Sequence, residues 1–74
     1  MINTLKFKGK VAENGLTMQN VADMLNISAF TLRKKITNQT PMTIGEMLKL
    51  KSILNLTDNE TEIIFLNEML QIAK

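Results

Sequence analysis

The sequence contains no cysteine and no histidine. Without cysteine the chain can form no disulfide and offers no thiolate ligand for zinc. Without histidine it lacks the side chain that most often acts as a general base or as a metal ligand. No phosphate-binding glycine motif is present, and acidic residues fall on capping or solvent-facing positions, namely Glu46, Glu60, Glu62 and Glu68. We therefore expect a protein that is not an enzyme and that needs no cofactor or metal.

Long apolar segments are also absent from the sequence. The stretch IIFL at residues 63–66 is among the longest apolar runs, whereas a helix that spans a bilayer needs about 20 such residues. The opening MINTLKFKGK carries lysine at positions 6, 8 and 10, so it lacks the apolar core of a signal peptide. These features predict a cytoplasmic protein with no membrane partner.

The chain is short and weakly charged. Its 74 residues fit a single domain over residues 1–74, and a core this small makes oligomerisation the most direct source of extra stability. The net charge is +2. Residues 1–41 carry six basic and two acidic side chains, whereas residues 42–74 carry three basic and five acidic ones. This asymmetry indicates either a weak attraction for a polyanion or an ordinary solvated surface.

The spacing of apolar residues predicts an all-α fold with five helices. No segment alternates apolar and polar residues over the length of a strand. The residues at helical spacing that should form the core are Phe7, Val11, Val21, Ala22, Leu25, Leu32, Ile36, Ile44, Met47, Leu50 and Leu54. With their caps, the predicted helices cover residues 4–14, 17–25, 28–37, 43–54 and 57–73.

Local signals mark the helix ends. Thr17 and Ser28 have the short oxygen-bearing side chains that cap helix N-termini. Gly15 and Asn26 tolerate the left-handed backbone that often ends a helix. Gly9 lies inside the first helix, where it lowers helix stability, and we expect it to mark a close helix crossing. Two capping boxes are predicted, Thr43 with Glu46 and Thr57 with Glu60.

The fifth helix is apolar around much of its circumference. One stripe contains Ile63, Leu66, Leu70 and Ala73, and further apolar residues lie beyond it, namely Ile64, Phe65, Met69 and Ile72. A terminal helix of a small domain normally buries one face. The surplus therefore indicates either a homodimer interface or partner groove on helix 5, or a helix that wraps over the end of the bundle.

Residues 17–37 fit a helix-turn-helix. A short helix, a three-residue elbow and a second helix follow one another, with Ala22 small where the second helix must cross closely. Val21, Leu25, Ile27 and Leu32 are apolar at the positions that join the two helices. The alternative is an unrelated helical hairpin within a small bundle.

The segment GLTMQNVADMLNISAFTLRKKITNQTPMTIGEMLKLKSILNLT, residues 15–57, resembles the phage Cro/CI-type, or lambda-repressor-like, helix-turn-helix family. The resemblance extends over about residues 5–66 and is greatest to the branch found in temperate phages of Gram-positive bacteria. It implies a compact five-helix domain in the cytoplasm of a bacterial host cell. Small lytic-side members include Cro proteins, which bind operators, and antirepressors of the modulator-of-repression class, which bind a CI-type repressor.

The resemblance also implies an interaction site. Helix 3 would enter the major groove of operator DNA, with Ser28, Ala29, Phe30, Arg33, Lys34 and Thr37 facing bases and phosphates. The start of helix 2, with Thr17, Met18 and Gln19, would lie against a backbone phosphate. Asn38, Gln39 and Thr40 would approach the next phosphates. A dimer would place two copies of helix 3 one helical turn apart on a near-palindromic operator.

Two departures from the family pattern open an alternative. Ala29 and Phe30 stand where readers of DNA often carry hydrogen-bonding side chains, and few basic residues are within reach of phosphates. A patch of Met18, Ala29 and Phe30 suits a protein interface. The two functions that remain are an operator-binding regulator of the lysis/lysogeny switch and an antirepressor that covers the DNA-reading domain of a cognate CI-type repressor. For both, Phe30 must point outward, and at helical spacing it lies about 160° around helix 3 from Leu32 and about 120° from Ile36.

Overall fold

Five α-helices form the described part of the chain, which no strand interrupts. The computed structural model describes the backbone of residues 2–73 and the side chains of residues 2–65. The helices are α1 (Thr4–Glu13), α2 (Met18–Met24), α3 (Ala29–Ile36), α4 (Ile44–Ile53) and α5 (Asp58–Ala73). The Cα radius of gyration of 11.2 Å is close to the roughly 11 Å expected of a compact domain of this length. The predicted all-α class with five helices is therefore confirmed.

Each helix begins at a capping residue. The hydroxyl oxygens of Thr17, Ser28 and Thr43 each accept a hydrogen bond from a backbone N–H in the first turn, which satisfies a donor that the helix itself leaves unpaired. The predicted capping boxes are present at Thr43–Glu46 and Thr57–Glu60. A third box, which was not predicted, pairs Thr17 with Asn20, and Asn3 caps α1 although it was not among the predicted caps.

Each of the first four helices is followed, two residues after its end, by a residue with a left-handed backbone. Gly15 has φ 69° and Asn26 has φ 62°, as predicted, and Asn38 and Asn55 adopt the same conformation after α3 and α4. Asparagine tolerates this region better than other non-glycine residues because its short amide can hydrogen-bond locally. The three asparagines thus allow the chain to turn after α2, α3 and α4.

A single apolar core joins all five helices. Its members are Ile2, Phe7, Val11, Val21, Ala22, Leu25, Leu32, Ile36, Met42, Met47, Leu50, Leu54, Leu56, Ile64 and Phe65. The predicted core is confirmed except for Ile44, whose side chain is 40 % exposed. Ile44 is the first residue of α4, and helical spacing alone does not reveal that the core begins one turn later.

Among the residues whose side chains are described, three ion pairs connect one helix to another. Lys10 joins α1 to Glu60 of α5 at 2.8 Å. Lys35 joins α3 to Glu46 of α4 at 3.0 Å. Lys51 of α4 pairs with Asp58 at the start of α5. Ion pairs that solvent can reach contribute little individually, but each of these joins two different helices, namely α1 and α5, α3 and α4, and α4 and α5.

Two predictions from the sequence have different outcomes. No atom lies within 4 Å of the position that a Cβ on Gly9 would occupy, so the predicted close crossing at Gly9 is wrong within the described chain.

In α5, Ile64 and Phe65 are buried while Ile63 is exposed. The apolar residues that follow, namely Leu66, Met69, Leu70, Ile72 and Ala73, lie outside the residues whose side chains are described, so the proposed interface on helix 5 stays a prediction.

Candidate interaction surface

Helices α2 and α3 pack directly on each other. The turn between them is stabilised by backbone hydrogen bonds from Asn26 to Asp23 and from Ile27 to Ala22, at 3.1 and 3.0 Å. Ala22 and Leu32 are fully buried, and Ile27 packs against the same core. Because this side of the pair is buried, the opposite side of α3 is presented to solvent.

The solvent-facing side of α3 carries an exposed aromatic ring. The Phe30 side chain is 70 % exposed, whereas Leu32 and Ile36 of the same helix are fully buried. The Lys34 ammonium lies 5.3 Å from the centroid of the Phe30 ring, which is within the range of a cation–π interaction. Ser28, Arg33 and Thr37 are exposed, and Ala29 is partly buried against the core. We call residues 28–30, 33, 34 and 37 the outer face of α3.

The predicted residues of α2 lie at its N-terminus. Thr17 is exposed and caps the helix, and Met18 is half-buried and packs against the core. Gln19 is exposed, and its amide donates a hydrogen bond of 2.8 Å to Asp23 one turn later. Met24 of α2 is also exposed, although it was not among the predicted site residues. Its exposure could have been predicted from the sequence, because Met24 lies outside the apolar stripe formed by Val21, Ala22 and Leu25.

Asn38 has a structural role that the sequence did not reveal. Its amide oxygen accepts a hydrogen bond of 2.7 Å from the Ile2 backbone N–H, and its amide nitrogen donates one of 3.2 Å to the Ile2 carbonyl. The Thr4 hydroxyl donates to the Ile36 carbonyl at 2.6 Å. The N-terminal segment is thus tied to the end of α3. Both functional groups of the Asn38 amide are therefore already hydrogen-bonded within the chain.

Lys35 is likewise engaged within the chain. Its ammonium contacts Glu46 at 3.0 Å and the Pro41 carbonyl at 3.2 Å, and only 15 % of the side chain is exposed. Partial burial opposes ionisation of Glu46, but hydrogen bonds from the Thr43 backbone and from Lys35 outweigh it, so the pKa of the Glu46 carboxyl lies below its usual value. Lys35 therefore helps to hold the loop after α3 in place.

Two basic residues remain on the outer face. Arg33 is exposed and Lys34 is half-exposed, and neither forms an ion pair with another described residue. The outer face therefore combines one aromatic ring, two cations and the hydroxyls of Ser28 and Thr37. This arrangement can contact phosphates and base edges, or it can insert Phe30 into a pocket of a protein partner.

In the described part of the chain, every helix is too short or too polar to cross a membrane. No protein-family model matches the sequence, and no curated protein or solved structure matches it either. The resemblance to the Cro/CI-type family therefore rests on the residues of the motif itself, and what it implies for this chain is developed as a proposal.

Proposed function

We propose that this chain is a helix-turn-helix regulator of the phage Cro/CI type, acting in the cytoplasm of the host cell and binding operator DNA through α3. The observation that carries the proposal is the orientation of α3, whose Leu32 and Ile36 are buried while its outer face is exposed. A recognition helix must present one side to the major groove while the other is held by the domain.

Local features of α2 and α3 support DNA as the target. Thr17 and Ser28 cap the two helices and leave backbone N–H groups near the helix starts, where anions bind favourably. Arg33 and Lys34 lie on the outer face without a carboxylate partner among the described residues. The side chain of Gln19 lies exposed at the start of α2, as a phosphate or base contact requires.

The proposal is tested by fluorescence anisotropy with duplex DNA from the regulatory region beside the gene, at two or more salt concentrations. If Arg33 and Lys34 contact phosphates, replacing both by alanine should weaken binding and reduce the slope of log K against log salt by about 0.9 per lost contact. Lys49→Ala is the matched control, because Lys49 is an exposed lysine on α4 and lies outside the proposed site. Absent or salt-independent binding by the pure protein would refute the proposal.

A second function is favoured by the exposure of Phe30. An aromatic side chain that is 70 % exposed is typical of an anchor that becomes buried in a protein partner. In addition, Lys35 and Asn38 are held within the chain, which leaves few groups for phosphates. Both observations favour an antirepressor that covers the DNA-reading surface of a cognate CI-type repressor.

The two functions differ in what Phe30→Ala does. Loss of an anchor side chain at a protein interface commonly costs more than about 2 kcal/mol, a loss of affinity of roughly 30-fold or more. A ring that merely touches a thymine methyl contributes less. The measurement is titration of the wild type and the variant against the repressor and, separately, against DNA. Leu48→Ala is the matched control, because Leu48 on α4 is an exposed apolar side chain too, at 58 %.

A further inference from the structure

Asn14 is the one asparagine of the sequence that glycine follows. An asparagine in this position can lose its side-chain amide without an enzyme, because the next backbone nitrogen can attack the side-chain carbonyl carbon and close a cyclic imide. Glycine favours this reaction, since it has no Cβ to hinder the attacking nitrogen. Larger residues follow the other asparagines, including the left-handed Asn26, Asn38 and Asn55. Asn14 is therefore the asparagine that is chemically least durable.

The structure places Asn14 at the end of α1, where its side chain joins two helices. Its amide nitrogen donates hydrogen bonds to the Lys10 carbonyl at 2.8 Å and to the Leu54 carbonyl at 3.0 Å. Its amide oxygen accepts one from the Asn55 amide at 3.1 Å. Leu54 and Asn55 directly follow α4, so Asn14 ties the end of α1 to the end of α4.

The folded chain holds the reacting atoms of this pair apart. The Asn14 ψ angle is 5°, which places the Gly15 nitrogen beside the backbone nitrogen of Asn14 and away from its side chain. The Gly15 N–H is also hydrogen-bonded to the Ala12 carbonyl at 3.0 Å. Ring closure therefore requires the turn after α1 to open. Gly15 is exposed and Asn14 is partly exposed, so water reaches the opened turn directly.

We propose that Asn14 is a site of spontaneous deamidation, and that opening of the turn after α1 controls its rate. In the open turn the Gly15 nitrogen gives its proton to a solvent base and bonds to the side-chain carbonyl carbon of Asn14. The bond from that carbon to the amide nitrogen breaks, and the amide takes up a proton and leaves as ammonia. Water then opens the cyclic imide at either carbonyl, which gives aspartate or isoaspartate at this position.

Neither product can remake the tie between the two helices. A carboxylate has no N–H to donate, so the Lys10 and Leu54 carbonyls lose their donor and face a negative charge instead. Isoaspartate also lengthens the backbone by a methylene directly before Gly15, whose φ of 69° sets the turn. Both products therefore favour the open turn, and the modification is a one-way loss of stability. It is independent of what the outer face of α3 binds.

Incubation of the full chain at neutral pH, with and without denaturing guanidinium chloride, tests the proposal. Tandem mass spectrometry of proteolytic peptides follows the mass gain at each asparagine over time. We expect Asn14 to react first and to yield both aspartate and isoaspartate. In the folded chain four hydrogen bonds must break, and each slows the reaction about two- to tenfold. The reaction should therefore be at least about tenfold faster in the denaturant.

Three results of this incubation would overturn the proposal. They are earlier reaction at another asparagine, equal rates in the folded and the denatured chain, and a folded chain in which Asn14 never reacts. Gly15→Ala tests the attacking group separately. In the denaturant, where both chains are unfolded, this variant should deamidate at Asn14 several-fold more slowly because its Cβ hinders the nitrogen. An unchanged rate would contradict the mechanism.

Asn14→Asp places the first product in the chain directly. Its melting temperature should fall by about 5 °C or more, because two carbonyls lose their donor. Asn59→Asp is the matched control and should not lower the melting temperature, since Asn59 is exposed in the first turn of α5, where a carboxylate is favourable. If Asn14→Asp does not fold, a partly deamidated wild-type sample gives the comparison and should unfold in two steps. Wild-type stability of the modified chain would overturn the loss of stability that we propose.

Discussion

The three phenylalanines of the chain allow a direct test of how α3 is oriented. Phe7 and Phe65 are fully buried, whereas Phe30 is 70 % exposed. Replacing a buried phenylalanine by alanine costs about 3–5 kcal/mol, since burial is lost and a cavity remains. For Phe30→Ala we expect the free energy of unfolding to fall by about 1 kcal/mol. This loss has two parts: about a third of the stabilisation from a fully buried ring, and the exposed cation–π interaction with Lys34. The substitution is chemically the same at all three positions, so only the surroundings differ.

The size of the effect makes the test decisive. A domain of 74 residues has a free energy of unfolding of roughly 4–11 kcal/mol. Phe30→Ala should therefore leave a folded protein, whose melting temperature falls by about 4–8 °C. Phe7→Ala and Phe65→Ala should lose a large share of the total stability. Urea unfolding followed by circular dichroism measures all three. If either buried variant fails to fold, the leucine variant at that position gives a milder comparison, expected to cost less than about 1.5 kcal/mol.

A loss at Phe30 equal to that at Phe7 would refute the reasoning. It would mean that the ring is buried in solution and that the outer face of α3 is not available for binding. Both proposed functions would then fail together, because both need the ring and Arg33 exposed. A small loss at Phe30 would leave the ring free to act in recognition.

Further substitutions test the helix ends and the charges. Asn38→Ala should cost about 1 kcal/mol more than Asn38→Gly, because both lose the amide bridge to the N-terminal segment but only alanine strains the left-handed backbone; urea unfolding of the two variants gives the difference. Gly15→Ala should destabilise the protein by a similar amount, whereas Gly9→Ala should stabilise it by about 0.4–1 kcal/mol. The pKa values of Glu46 and Glu60 lie below their ordinary value of 4.5, so their contribution to stability is complete above about pH 4.5 and is lost as the pH falls. Melting temperatures that stay constant between neutral pH and pH values below about 4 would contradict this reasoning.

The helix ends could be predicted because their signals are local. A threonine or serine followed by a helical stretch satisfies the first backbone N–H groups whatever the rest of the chain does. Thr17, Ser28 and Thr43 were identified in this way. Asn26 followed from the same kind of reasoning, because few other residues accept its backbone conformation.

Features that depend on distant partners could not be predicted. The resemblance to the Cro/CI-type family implies a phosphate contact for Asn38, whereas in the structure its amide is bound to Ile2, which is 36 residues away in sequence. Lys35 lies in the same basic triplet as Arg33 and Lys34, and only the position of α4 directs it to Glu46. Sequence spacing specifies which way a side chain points on its own helix, but not which other element it meets.

These two contacts matter for either proposed function because they hold α3 from its C-terminal end. Lys35 fixes the helix to α4, and Asn38 fixes its end to the N-terminal segment, whose Asn3 backbone N–H in turn donates to Ile64 of α5 at 2.9 Å. Lys35 and Asn38, which are not available for binding a partner, are thus the side chains that fix the orientation of α3. Because Phe30 and Arg33 contribute little to that support, they can be exchanged with small effect on the fold, and variants at these two positions can therefore distinguish the two proposed functions.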